Sequence, residues 1–315
     1  MTLLTTGTDL ESLAPEWDAL WRRCPQATPF QSPAWLLPWW RQFGTGRPRV
    51  AVARDAGGRL AGVLPLYELD GRLLPIGAGL TDLQDALLTP GLDTEAAGAL
   101  LREVSGATAL PCDLTDLPPA ASLLAAQAPA GWRDTRTPAD PCPVLRDDAI
   151  PARQRRKLRM ARHRAGRAGG WRVEIATEAT LPAALDALIR LHGAAWEARG
   201  QRGVFADPRV AACHREAAPA LLRAGALRLA TLTLAGHVAA AVHALVAPGR
   251  LFLYLNGWDP AASFHSPGTL LVGALLEQAA QEGRTEIDFL RGGESYKYAW
   301  GAQDRWNSLR RLAPP

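Results

Sequence analysis

Residues 250–300 read RLFLYLNGWDPAASFHSPGTLLVGALLEQAAQEGRTEIDFLRGGESYKYAW, and the fold is decided here. Residues 251–256 are a short apolar and aromatic run, the pattern of a strand. Asp259-Pro260 and Ser266-Pro267-Gly268 punctuate a loop. Ser266 suits a helix N-cap and Pro267 the first helical position. Apolar residues then recur at helical spacing through Leu270, Leu271, Ala274, Leu275 and Ala279, and Gly283 ends the run. Residues 285–290 read as a second strand with Asp288 in its middle. The order is strand, helix, strand, then a polar and aromatic tail. A helix opened by Ser-Pro-Gly presents free N–H groups and the positive end of its dipole, which favour an anion such as phosphate.

Upstream of this stretch, residues 181–199 and 211–224 have helical periodicity, and 226–234 and 237–246 form a strand pair joined at Ala235-Gly236. The first half follows the same order. Residues 9–24 and a run capped by Ser32-Pro33 read as helices whose Trp residues face a core. Strands at 49–54 and 59–67 join through Asp55-Ala56-Gly57-Gly58, followed by short strands at 73–76 and 86–88, a helix at 93–104 and a strand at 109–114. AVARDAGGRLAGVLPLYEL (51–69) thus resembles RLATLTLAGHVAAAVHALV (228–246) in layout. Two copies of one α/β unit are expected, 1–148 and 149–315. They meet in a connector at 138–151 made rigid and exposed by Pro138, Pro141, Pro143, Pro151, Asp140, Asp147 and Asp148. Only the second copy has the Ser-Pro-Gly helix mouth and the polar tail, so the site is expected there.

The chain of 315 residues is 48% hydrophobic and 21% charged, ordinary for a globular protein with a substantial core. No run approaches the roughly 18 apolar residues that span a bilayer. The N-terminus lacks a basic region followed by an apolar one, so no signal peptide is expected. Cys24, Cys112, Cys142 and Cys213 show no CxxC or metal spacing, and a reduced cytoplasm is the expected compartment. Residues 153–172 carry nine Arg/Lys and no acid, whereas the chain is +4, so the remainder sums to −5. This helix is read as a solvated face packed through Leu158 and Met160, as a contact for an anionic partner, or as a nonspecific nucleic-acid or membrane-surface patch. No recognition-helix or zinc signature supports specific DNA binding. The only lysines are Lys157 and Lys297.

SPGTLL followed by a helix and EIDFLRGGESYKYAW, with PFQSPAWLLPWW and GVLPLY upstream, resembles the CelD-type acyltransferases. These belong to the GNAT superfamily and are relatives of the Fem peptidyltransferases. The resemblance implies tandem GNAT-like units, each a mixed, mostly antiparallel sheet flanked by helices. It implies acyl transfer from acetyl-CoA or another acyl-CoA to an amine or hydroxyl of a small molecule or envelope sugar, with no metal. Two alternatives stay open: Fem-like aminoacyl transfer from tRNA, and a non-catalytic binding protein of polysaccharide assembly. An acyl carrier protein or tRNA would meet the basic helix 153–172. Acyl transfer needs a base for the nucleophile, donors for the carbonyl oxygen and an acid for the leaving group. Candidate bases are Asp288, Glu294 and His243, and candidate acids or donors are Tyr296 and Lys297. Ser266, Gly268, Thr269 and Leu270 are expected around the donor phosphates, and Asn256, Arg291 and Trp300 around substrate. An extended tail would turn Glu294 and Tyr296 to the same side.

Overall fold

The computed structural model describes residues 1–315 except 93 and 147–149. It divides into two compact units, Met1–Pro141 with Arg305–Pro315, and Cys142–Asp304. The expected boundary at 148/149, Asp147 and Asp148 of the connector, and Asp93 lie outside the described residues. The division differs from a single cut in that the last eleven residues return to the first unit.

In the first unit, β1 (Thr2–Leu4) precedes helices α1 (Gly7–Ser12), α2 (Ala14–Arg22) and α3 (Pro33–Phe43). The expected single helix at 9–24 is two helices. Pro15 lies in the first turn of α2, where its missing N–H is tolerated; inside one continuous helix its ring would clash with the preceding turn. Ser32 caps α3 as expected, its Oγ accepting from Trp35 N–H at 3.3 Å. Strands β2 (Arg47–Arg54), β3 (Leu60–Leu69) and β4 (Arg72–Pro75) run antiparallel, with β5 (Leu87–Leu88) beside β3. Helix α4 (Thr94–Thr108) leads to β6 (Cys112–Leu117), parallel to β4. α5 (Ser122–Ala125) and β7 (Arg133–Arg146) follow. The expected connector is therefore strand up to Arg146. Its prolines are accommodated because a ladder also needs carbonyls: Pro143 accepts from Phe289 N–H at 2.9 Å.

The second unit repeats the scheme. α6 (Ala152–Arg167) and β8 (Trp171–Ile175) are followed by α7 (Leu181–Glu197) and α8 (Pro208–Arg223). β9 (Leu227–Leu234), β10 (His237–Ala247) and β11 (Arg250–Trp258) are antiparallel neighbours, α9 (Pro267–Gln281) crosses over, and β12 (Glu286–Asp288) lies parallel to β11. The short helix α10 (Ser295–Ala299) follows, and most of the last strand, β13 (Gln303–Ala313), belongs to the first unit. Each unit is thus a mixed, mostly antiparallel sheet flanked by helices. β11 and β12 pair only at Arg250–Glu286, Leu251–Ile287 and Phe252–Asp288, while β11 continues to Trp258. This divergence opens a space beside the second half of β11.

Two helices wall that space. α7 buries Leu181, Leu185, Leu188, Leu191 and His192 at helical spacing. It approaches β11 so closely that a Cβ on Gly257 would stand 2.3 Å from His192 N. α6 buries Gln154, Leu158, Ala161 and Ala165 and turns its arginines outward. Leu158 packs on α9 where Gly273 has no side chain. Met160, expected in that packing, is 55% exposed, because it falls off the stripe through 154, 158, 161 and 165.

Candidate active site

A cavity of about 400 Å³ lies wholly within the second unit, between α7, the end of β11, the start of α9 and the segment after β12. Among its walls are Asn256, Ser266, Gly268, Thr269, Arg291, Glu294, Tyr296, Lys297 and Trp300, all expected from the sequence. Asp288, His243 and Leu270 are absent from them.

Each of those three is placed elsewhere by its local structure. Leu270 is fully buried in the core. Asp288 is also fully buried; its Oδ1 accepts from Leu290 N–H at 2.8 Å, steering the chain off the end of β12. His243 stacks edge-on against His214 at 5.1 Å and Tyr254 at 5.7 Å. Burial there lowers its pKa to about 4, so it is a neutral core imidazole.

Tyr296 and Lys297 do not lie in an extended tail. Residues 295–299 are helical, with Glu294 at the N-cap, so side-chain direction follows a helical period. Tyr296 packs edge-on against Phe289 at 6.1 Å, and its hydroxyl accepts from Asn256 Nδ2 at 3.1 Å. Burial and then the Glu294 charge raise the Tyr296 pKa well above that of a free phenol, keeping a proton on the oxygen. Lys297 is 2% exposed. Its Nζ donates to the carbonyls of Leu290 at 3.0 Å, Arg291 at 2.8 Å and Gly292 at 2.9 Å, and pairs with Glu294 Oε2 at 2.9 Å. An ammonium has three N–H groups, and four acceptors already surround this one. Lys297 therefore latches the turn after β12, in which Leu290 takes φ 57° and Gly292 φ 108°, and its N–H groups are already engaged there.

The mouth of α9 also differs from expectation. Ser266 has left-handed backbone angles and makes no side-chain cap. Its Oγ instead accepts from Arg164 Nη2 at 3.3 Å, and the Arg164 guanidinium lies 5.0 Å from the Phe264 ring centroid. Gly268 and Thr269 thus start a helix that no side chain caps. A Cβ on Gly268 would meet nothing closer than Trp258 at 3.8 Å.

Among the cavity-wall residues that sequence reasoning did not assign to the site are His192, Trp196 and Arg199 of the α7 region. His192 Nδ1 stands 2.8 Å from the Asn256 carbonyl, and burial followed by the Arg199 charge lowers its pKa against the raising effect of that bond. The available signal was a histidine inside an otherwise apolar helical face. Next to the cavity, and sharing Gln154, Lys157 and Ala299 with it, is a groove of about 700 Å³. Arg153, Arg156, Lys157 and Arg164 line it together with Met160 and Tyr298, and among the described residues no acidic one does. Among the described residues no cluster of three His, Cys, Asp or Glu could hold a metal ion, and no helix is long and apolar enough to cross a membrane.

Residues 152–298 match the family described as acetyltransferase (GNAT) domain. No curated protein matches the sequence. Solved structures do match in fold: FemX, with a TM-score of 0.66 and 14% identity over 98% of this chain and 97% of that one; L-PGS from Bacillus licheniformis, at 0.61 and 12% over 96% and 91%; and a conserved protein from Bacteroides thetaiotaomicron, at 0.63 and 12% over 99% and 100%. The chain shares its mixed α/β fold with these structures, and residues 152–298, which match the GNAT domain, lie within the second unit. The match assigns residues 152–298 to a GNAT acetyltransferase domain, and the likeness to the solved structures is one of fold.

Proposed function

We propose that the protein transfers an acyl group from acetyl-CoA or a longer acyl-CoA to an amine or hydroxyl of a small molecule or envelope sugar. The observation that carries this reading is one cavity that joins the uncapped start of α9 to the Asn256–Tyr296 pair. In this reading the Gly268 and Thr269 N–H groups take the donor phosphates, since a helix N-terminus favours anions. Tyr296, kept protonated by burial, gives its proton to the leaving thiolate. Glu294, already bonded to Lys297, holds the acceptor through a second hydrogen bond. Arg291 and Trp300 bound the substrate space. Four buried cysteines, none of them in a disulfide, fit a reduced cytoplasm.

A second reading, transfer from aminoacyl-tRNA or from an acyl carrier protein, is favoured by the groove along α6, which four cations and, among the described residues, no acidic side chain line. Calorimetric titration with acetyl-CoA, longer acyl-CoA species, acylated carrier protein and aminoacyl-tRNA separates these donors. The first reading expects acyl-CoA binding that weakens in Gly268→Val. Absence of acyl-CoA binding, with salt-sensitive tRNA or carrier binding that Arg153 and Arg156 substitutions abolish, would replace it with the second.

A further inference from the structure

Three imidazoles are buried in the second unit among the described residues: His192, His214 and His243. His214 and His243 stack on one another, and only His192 forms part of the cavity wall. Its position is fixed from two sides. The bare Gly257 lets α7 lie against β11, and the Asn256 carbonyl then stands 2.8 Å from Nδ1. A carbonyl oxygen only accepts, so Nδ1 carries the proton and Nε2 of the neutral ring has the lone pair. Nε2 is buried without any hydrogen-bond partner in the protein. A buried polar atom left unpaired is costly and calls for an explanation. The Asn256 side chain donates to the Tyr296 hydroxyl at 3.1 Å while its carbonyl orients His192. One residue thus positions both an imidazole and a protonated phenol of the same cavity wall.

We propose that His192 is the general base of the transfer, its Nε2 receiving the proton of the attacking amine or hydroxyl. The assignment rests on the acyl-transfer reading above. The acceptor's nitrogen or oxygen bonds to the acyl carbon, and its proton passes to Nε2. The thioester C–S bond breaks, and the leaving sulfur takes the Tyr296 proton. The imidazolium then loses its proton to solvent and the phenolate regains one, restoring both groups. The Nε2 edge lies next to Gly203, where an added Cβ would stand 2.8 Å away. In this proposal the Gly203 segment moves aside for the acceptor to reach Nε2.

The test is release of free thiol from acetyl-CoA in the presence of a panel of primary amines and amino sugars, read as a function of pH. His192→Asn keeps an amide N–H near Nδ1 for the Asn256 carbonyl but has nothing at Nε2. It is expected to lower kcat/KM about 10²–10⁴-fold, to abolish the acid limb of the pH profile, and to leave acetyl-CoA affinity unchanged. Gly203→Ala, which keeps the imidazole and crowds its Nε2 edge, is expected to lower turnover too, and it decides the matter if the Asn variant does not fold. An active wild type with unchanged rate and pH profile in the folded variant overturns the His192 assignment alone. A wild type that releases no thiol with any acceptor overturns the acyl-CoA reading, and the base assignment with it.

Discussion

Replacing Lys297 by Met removes the ammonium while keeping most of the side-chain volume. Three carbonyls and one carboxylate lose their shared donor. The Glu294 side chain is 46% exposed, so its ion pair contributes little, within about 1 kcal/mol. The carbonyls matter more, because hydrogen bonds to a charged group contribute about 1.5–3 kcal/mol each. Arg291 and Gly292 are partly exposed and can turn to water, whereas Leu290 is 1% exposed and cannot. A net loss of about 3–5 kcal/mol is expected, the range for breaking a buried charged contact. For a domain of this size that corresponds to a melting temperature lower by roughly 6–20 °C. Differential scanning calorimetry of wild type and Lys297→Met measures it. The turn also carries Arg291 and Glu294 into the cavity, so donor binding should weaken in the variant even well below its melting point. A melting temperature within about 2 °C of wild type, less than 1 kcal/mol for a domain of this size, would refute the latch.

Two glycines on the cavity wall should respond oppositely. Gly257→Ala sets a Cβ 2.3 Å from His192 N and 2.5 Å from Leu191 C, so it should destabilise by about 3 kcal/mol or more by urea unfolding. Gly268→Ala has its nearest neighbour at 3.8 Å and should leave stability unchanged. The buried neutral His243 makes stability depend on pH. Its folded pKa of about 4 lies below the unfolded value near 6.5, so its contribution is complete above pH 6.5 and is lost as pH falls toward 4. His243→Phe should flatten that loss by about 3 kcal/mol, seen as a smaller change in melting temperature across that window.

The repeated layout was legible because each unit writes its hairpin and crossover helix as local patterns, with Gly57-Gly58 and Ala235-Gly236 at the turns. The same holds for the start of the crossover helix, since Ser266-Pro267-Gly268 does open α9. What local reading misplaced depended on contacts distant in sequence. Asp288 looked like a base in mid-strand, but its strand stops there and the carboxylate serves the next turn. Lys297 looked like a candidate acid or donor, but three carbonyls five to seven residues back enclose it. His243 and His192 are equally apolar in context; only packing shows that one faces a core and the other a cavity. Ser266 lost its capping role to Arg164, about a hundred residues away.

The most direct test of the central claim, that the cavity at the mouth of α9 performs acyl transfer, is steady-state kinetics of Tyr296→Phe against wild type with acetyl-CoA and a reactive acceptor. The substitution keeps the ring against Phe289 and removes only the hydroxyl that Asn256 holds. The account predicts a kcat lower by about 10²–10⁴-fold with the KM for donor unchanged. A kcat equal to that of wild type would contradict it and move the chemistry away from this cavity.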